Sequence, residues 1–264
     1  MLELNNVSKL FNPGSPDEKI ALLGIQLTLR PGDFVTIIGS NGAGKSTLMN
    51  IISGVMKPDI GEVRIEGSSI SSLPEYRRAR WIGRVFQDPM AGTAPHMTIE
   101  ENLAMAYRRG QSRGLRFGVG ASSRKLFKEQ LQRLGIGLEN RLRAKVGLLS
   151  GGERQALSLL MATFTQPQIL LLDEHTAALD PARADLITKL TETIVREMNL
   201  TTLMVTHNME QAIRLGNRLI MMDKGSIILD IDESRKKDLT VERLLGEFET
   251  ISGHKLADDR MMLG

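Results

Sequence analysis

"FVTIIGSNGAGKSTLMNIIS", residues 34–53, decides the fold. It opens on an apolar run of the kind buried in a sheet, breaks into a Gly-rich turn, and resumes with apolar residues at helical spacing. Gly39, Gly44, Lys45 and Ser46 keep the phosphate-loop spacing G-x-x-x-x-G-K-[ST], and they do so between a strand and a helix, where the mechanism needs them. Glycines let backbone N–H groups wrap phosphate oxygens. The expected cradle is Gly39, Ser40, Asn41, Gly42, Ala43, Gly44, Lys45, Ser46 and Thr47. Lys45 brings a compact charge to the β- and γ-oxygens, and the Ser46 hydroxyl suits Mg²⁺. The ligand expected here is a nucleoside triphosphate. Leu48, Ile51, Ile52 and Val55 form the apolar stripe of the helix, which Pro58 and Gly61 are expected to stop.

Outward from this stretch, strands alternate with helices. Residues 1–30 read as strands around a loop, "NPGSPDEK", and "GEVRIEG" and "IGRVFQD" read as further strands. "QILLLDE" and "TTLMVTH" are buried strands flanking the helical "ARADLITKLTETIVREM", and "RLIMMDKGSIILD" is a hairpin turning at Asp223–Gly225. Such alternation predicts an α/β fold with a parallel sheet. A helical insertion interrupts it between about residues 88 and 165, and the last thirty residues read as helical and charged.

The bulk numbers exclude several classes. A net charge of +3 is too mild to argue for nucleic acid. With no Cys there are no disulfide staples or thiolate metal sites, and the four His are scattered. No signal peptide is visible at the N-terminus, and the longest apolar runs are too short to cross a bilayer. A soluble protein is expected. Tyr107–Lys128 carries seven Lys/Arg and no acid, which reads as a solvated basic loop or a surface for anionic headgroups.

Two further patterns carry chemistry. Asp173 closes a buried strand, where a phosphate-loop enzyme keeps its second metal partner, and Glu174 follows where a carboxylate can polarise an attacking water. "LLSGGERQALSLL", residues 148–160, is a second helix start with flexible polar residues. Ser150, Gly151 and Gly152 are suited to donate to a γ-phosphate, although from this stretch alone a plain capped helix start is the favoured reading. One chain has little need of two phosphate sites. Two copies packed head to tail, each closing the other's site, would use both.

With "LSGGERQ", Leu149 to Gln155, beside the phosphate loop, the chain resembles ATP-binding cassette proteins over residues 1 to about 230. The resemblance implies ATP as the nucleotide and a phosphate-loop NTPase sheet with an antiparallel β subdomain. It implies a RecA-like core over 1–87 and 166–230, a helical subdomain over about 88–165 and a short C-terminal extension, 231–264. It further implies that Gln87 in "VFQDP" is the Q-loop residue reaching the γ-phosphate and Mg²⁺, and that Asp180 in "AALD" faces the partner subunit. His207 in "MVTH" is implied to be the switch histidine on the γ-phosphate, and Phe11 to stack on adenine. His175 and Ala177 depart from the Pro and Ser that many members carry after the catalytic acid.

Cassettes of this length without a fused membrane domain resemble the energising subunits of bacterial importers. The partners so implied are a second copy, integral-membrane permease subunits and, indirectly, an extracytoplasmic solute-binding protein. The location implied is the cytoplasmic face of the membrane. The layout is similar to cassettes for amino-acid uptake, aromatic ones included; an exporter or a soluble non-transport ATPase is the alternative. Met90, Met97 and Met105, near Gln87, either offer an adaptable surface to a permease helix or fill the helical subdomain.

Overall fold

The computed structural model describes residues 1–111 and 118–252. The described residues form two compact units, one from residues 1–78 and 200–252, the other from 79–111 and 118–199.

The first unit begins with β1 (Leu2–Phe11) and β2 (Lys19–Leu29), followed by β3 (Phe34–Gly39) and α1 (Lys45–Ser53). After them come β4 (Ile60–Ile65), β5 (Ser68–Ser69) and α2 (Glu75–Arg78). The second unit holds β6 (Ile82–Val85), α3 (Ile99–Tyr107), α4 (Ala121–Gln132), α5 (Gly151–Thr163), β7 (Ile169–Asp173) and α6 (Pro181–Met198). The chain then re-enters the first unit with β8 (Thr201–Val205), α7 (Met209–Arg214), β9 (Arg218–Asp223), β10 (Ser226–Ile231), α8 (Glu233–Lys236) and α9 (Val241–Ser252).

In the first unit β2-β1-β4-β5 form an antiparallel sheet. A second layer has β3 parallel to both β8 and β9, with β10 antiparallel to β9. All six residues of β3 and all five of β8 are buried, so neither strand shows apolar–polar alternation. The β9–β10 turn puts Lys224 (φ 44°) and Gly225 (φ 81°) in the left-handed region, the twist a two-residue hairpin favours. The hairpin read at Asp223–Gly225 is borne out.

In the second unit β6 runs parallel to β7 with Arg84 opposite Leu171. Its core gathers Leu103, Phe127, Leu131, Leu157 and Leu160 from α3, α4 and α5. Tyr107, Phe127 and Phe164 meet edge to face, with ring centroids 5.5–6.2 Å apart. This mixed α/β architecture is the fold class read from the sequence.

The end of α1 needs a correction. It stops at Ser53, because Gly54 takes φ 89° and its N–H, with that of Met56, turns back to the Asn50 carbonyl. Val55 therefore lies beyond the helix and is exposed rather than on its apolar stripe. Arg78, fully buried, donates from Nη1 to the Ile51 and Ile52 carbonyls, from Nε to Leu73 and from Nη2 to Ser71. It thus caps the negative end of α1, while burial lowers its pKa to about 10. A Cβ at Gly54 would come within 2.7 Å of that guanidinium.

Candidate nucleotide site

The loop from Gly39 to Gly44 is shaped by backbone that side chains resist. Gly39 (φ 154°), Gly42 (φ 81°) and Gly44 (φ 100°) all have positive φ. A Cβ on Gly39 would lie 2.1 Å from the Met222 carbonyl oxygen, and one on Gly44 2.4 Å from that of Ala21. Gly44 is the N-cap of α1, and no side chain caps that end. Lys45 is buried, and its ammonium donates to the Gly39 carbonyl at 2.6 Å and the Ser40 carbonyl at 3.0 Å. Ser40 Oγ donates to Asp223 at 2.9 Å, tying the loop to the end of β9. Ser46, in the first turn, is exposed. A glycine cradle over a positive helix end, with a cation turned inward, fits a polyphosphate.

His207 follows β8, which lies beside β3 in register (Ile37 opposite Val205). The phosphate loop and His207 thus leave from the carboxyl ends of neighbouring parallel strands, where α/β sheets bind ligands. Thr206 and Asn208 brace that turn: Thr206 Oγ1 contacts Gln211 Oε1 at 2.7 Å, and Asn208 caps α7. Phe11 closes β1 half-buried, with the Lys9 ammonium 5.9 Å from its ring centroid. Its ring is not part of the core.

The second unit repeats the strand-end logic. Gln87, exposed, follows β6, and Asp173 and Glu174 follow the first residues of its parallel neighbour β7. Asp173 accepts from Arg84 Nη2 at 2.9 Å. Glu174 sits at φ 46°, in the left-handed region, at the turn that follows β7. Behind it His175 is buried, with Nε2 3.0 Å from Thr191 Oγ1. The Thr191 hydroxyl donates to the Ile187 carbonyl, so it accepts from His175 Nε2–H, and Nδ1 is left a buried acceptor without a partner. Burial lowers the pKa of His175 to about 4.

Ser150 is the N-cap of α5 in a capping box. Its Oγ accepts from the Glu153 N–H at 3.3 Å, and the Glu153 carboxylate accepts from the Ser150 N–H at 2.7 Å and from Arg141 at 2.6 Å. Burial alone would raise the Glu153 carboxyl, but the hydrogen bonds from Ser150 and the Arg141 charge outweigh it and lower the pKa. The capped-helix reading is therefore realised in the single chain, and the Ser150 hydroxyl proton stays directed by neither of these bonds. Gly151 and Gly152 lie outside the left-handed region. A Cβ there would meet only side chains, Leu179 at 3.4 Å and Arg183 at 3.1 Å. Asp180 caps α6 by accepting from the Arg183 N–H at 3.1 Å, and it pairs with the Arg183 guanidinium.

Sequence motifs did not point to Arg84 or to Arg78, and gave no role to Gln155, whose Nε2 donates to the Phe86 carbonyl at 3.2 Å and so ties α5 to the end of β6. Of the basic segment, Arg113 and Arg116 lie outside the described residues. Met90 and Met105 are exposed and Met97 is partly buried, so these methionines do not form the core of the helical region.

A family model described as ABC transporter matches residues 22–177, more than half of the chain. The chain belongs to the ABC transporter family. The cassette is 47% identical, over 94% of its length and 99% of the relative's, to the tyrosine transport ATP-binding protein of Clostridioides difficile (strain R20291). It is 38% identical over 86% of its length to methionine import ATP-binding protein MetN 2 of Enterococcus faecalis (strain ATCC 700802 / V583), of which it spans 64%. Among solved structures it superposes with a TM-score of 0.76 and 31% identity on the ATP-binding cassette MJ0796, in a dimeric post-hydrolysis state bound to ADP and Pi; the match covers 88% of this chain and 99% of that one. The cassette binds and hydrolyses ATP, as its family does, and no described helix is long and apolar enough to cross a membrane.

Proposed function

We propose that this cassette is the energising subunit of an importer for an amino acid, an aromatic one such as tyrosine, and that it works as a head-to-tail homodimer with two shared ATP sites. The observation that carries the dimer is the unequal need for glycine at the two helix starts. The phosphate loop requires its glycines for its own backbone, whereas Gly151 has ordinary backbone and room for a Cβ in the single chain; Gly152 is buried against Arg183. A missing side chain at a half-buried helix start suits a ligand that presses directly on the backbone. The γ-phosphate of ATP held by Lys45 of one copy, against Ser150, Gly151 and Gly152 of the other, is that ligand. The dimeric cassette MJ0796 supports the arrangement by similarity.

In this reading Phe11 stacks on the base, and Gly39 to Thr47 hold the phosphates. Ser46, Asp173 and Gln87 hold Mg²⁺; hydroxyl, carboxylate and amide oxygens are the hard donors that ion prefers. When bound, the ion screens phosphate charge during transfer. Glu174 orients and polarises the attacking water, His207 contacts the γ-phosphate, and Asp180 faces the partner copy. Residues 1–87 with 166–230 act as the nucleotide-binding core, 88–165 as the helical arm and 231–264 as an extension. Met90 and Met105, exposed in the same unit as Gln87, offer a permease helix a deformable surface. The permease holds the dimer at the cytoplasmic face of the membrane, and an extracytoplasmic protein delivers the solute.

The solute rests on the near-full-length likeness to a tyrosine transport ATP-binding protein. Uptake of labelled tyrosine, methionine and spermidine by cells lacking this gene, and by cells complemented with it or with Glu174→Gln, tests the reading. The expected result is loss of tyrosine uptake alone, restored by the native chain and not by the variant. Intact tyrosine uptake with loss of either other solute would overturn the assignment.

A further inference from the structure

Arg84 and Asp173 stand on adjacent parallel strands. Because Arg84 is opposite Leu171, and side chains alternate along a strand, Asp173 projects from the same face one pleat further on. The guanidinium reaches it: Nη2 lies 2.9 Å from Oδ2, with the two side chains only 11% and 15% exposed. On the same face, two residues on, the Phe86 ring centroid lies 4.7 Å from the guanidinium carbon. A carboxylate this far from water needs a counter-charge, and Arg84 supplies it in the chain alone. Among the described residues no group of three or more His, Cys, Asp or Glu is placed to hold a metal, so metal affinity depends on very few protein charges.

The geometry points to Arg84 as a positioning residue that makes metal binding conditional on nucleotide: it neutralises Asp173 until triphosphate oxygens bring enough negative charge to hold the ion beside it. This rests on the reading of Asp173 as a metal partner. A free divalent ion meets a carboxylate already paired with a fixed cation, and the ion and the guanidinium repel each other at close range. Bound triphosphate changes the balance, because several oxygens then attract the ion and Asp173 need only complete its shell. Arg84 also keeps the Asp173 carboxylate turned toward the end of β6, two residues before the start of the loop that carries Gln87. The aromatic contact with Phe86 fixes the guanidinium plane, a task that suits Arg better than Lys.

Mn²⁺ binding, followed by electron paramagnetic resonance without nucleotide and with a non-hydrolysable ATP analogue, tests this apart from turnover. The native chain is expected to bind free Mn²⁺ weakly. Arg84→Met keeps the aliphatic packing, removes the charge and should bind free Mn²⁺ about tenfold more tightly. With the analogue bound, the difference should shrink to about twofold. Arg84→Lys, which retains the charge, should stay near the native value. Arg84→Gln serves the same comparison if Arg84→Met does not fold. Neutral variants that bind free Mn²⁺ no better than the native chain, while Asp173→Asn weakens Mn²⁺ binding in the analogue complex, would overturn the role of Arg84 and leave Asp173 as a metal partner. If Asp173→Asn leaves Mn²⁺ binding in the analogue complex unchanged, the metal assignment itself fails and the inference falls with it.

Discussion

Two helices begin in this cassette on glycine and serine, and they begin in opposite ways. At α1 no side chain caps the first turn, and the approach is built from glycines whose backbone or surroundings exclude a Cβ. At α5 Ser150 and Glu153 close a reciprocal box, Arg141 backs it, and the glycines have unexceptional backbone. The first is a loop whose shape is fixed by contacts within its own unit. The second is capped without any ligand, so whatever makes Gly151 useful comes from outside the single chain.

Replacing a glycine at each start breaks or sharpens that contrast. Gly44→Ala forces a side chain into φ 100° and against the Ala21 carbonyl, a backbone group that cannot swing aside. Nucleotide affinity should fall on the order of a hundredfold, read by fluorescent-nucleotide titration. Gly151→Ala should leave nucleotide affinity unchanged, and the melting temperature level or slightly raised, because Ala favours a helix by about 0.5–1 kcal/mol. Its ATP turnover should still drop by at least about tenfold as the added methyl stands between the two copies. Full turnover in Gly151→Ala would remove the argument for a ligand pressed on that backbone.

Acid gives a second way to probe the turn after Glu174. His175 is buried and neutral in the folded chain, with a pKa of about 4 against an ordinary 6.5. Between those values the unfolded chain binds the proton and the folded chain does not, so stability falls as pH drops from 6.5 to about 4 and then levels. The loss is on the order of 3 kcal/mol. Denaturant titrations at pH 7, 5.5 and 4.5 should show a steeper fall in the native chain than in His175→Gln. Parallel curves would mean that other groups carry the acid lability.

The far end of α1 is the next test. Arg78→Met leaves the Ile51 and Ile52 carbonyls without the donors they have now, and removes a positive charge from the helix C-terminus. The expected cost is about 3 kcal/mol in urea unfolding, with a secondary loss of nucleotide affinity because α1 carries Lys45. Relief of burial partly offsets it, since the same arginine has a depressed pKa.

What the sequence made legible follows from how local each device is. The phosphate loop, the hairpin at Lys224–Gly225 and the run of β7 each rest on neighbours within about a dozen residues, so spacing and residue type suffice. The end of α1 is marked locally by Gly54 as a left-handed C-cap, ahead of Pro58 and Gly61; only its second job, leaving room for Arg78 twenty-four residues on, is long-range and hidden in the sequence. Arg84 was invisible for a similar reason: its partner Asp173 is eighty-nine residues away, and only the β6–β7 register reveals the pair. His175 showed itself only as a departure from a family pattern, and its partner Thr191 lies on α6. Of the candidate site, the residues were readable, but the division into a self-sufficient start and one satisfied by its own cap was not, because φ angles and reciprocal hydrogen bonds do not follow from "SGGE" alone.

The smallest expected effect bears most directly on the cap. Ser150→Ala removes the acceptor for the Glu153 N–H, and an N-cap serine is worth about 1 kcal/mol, so unfolding of the isolated chain should shift by that amount and no more. Asp substituted at the same position caps a helix as well as Ser does, but it presents a charge where a hydroxyl stood. If α5 begins with a cap and nothing else, Ser150→Asp should behave like the native chain in both stability and turnover. If the hydroxyl also donates to a γ-phosphate from the other copy, Ser150→Asp should keep the stability and lose ATP-driven dimerisation, because like charges meet across the nucleotide. Sedimentation of the two variants with ATP in a Glu174→Gln background, where hydrolysis is expected to stall, separates the two roles that one serine now combines.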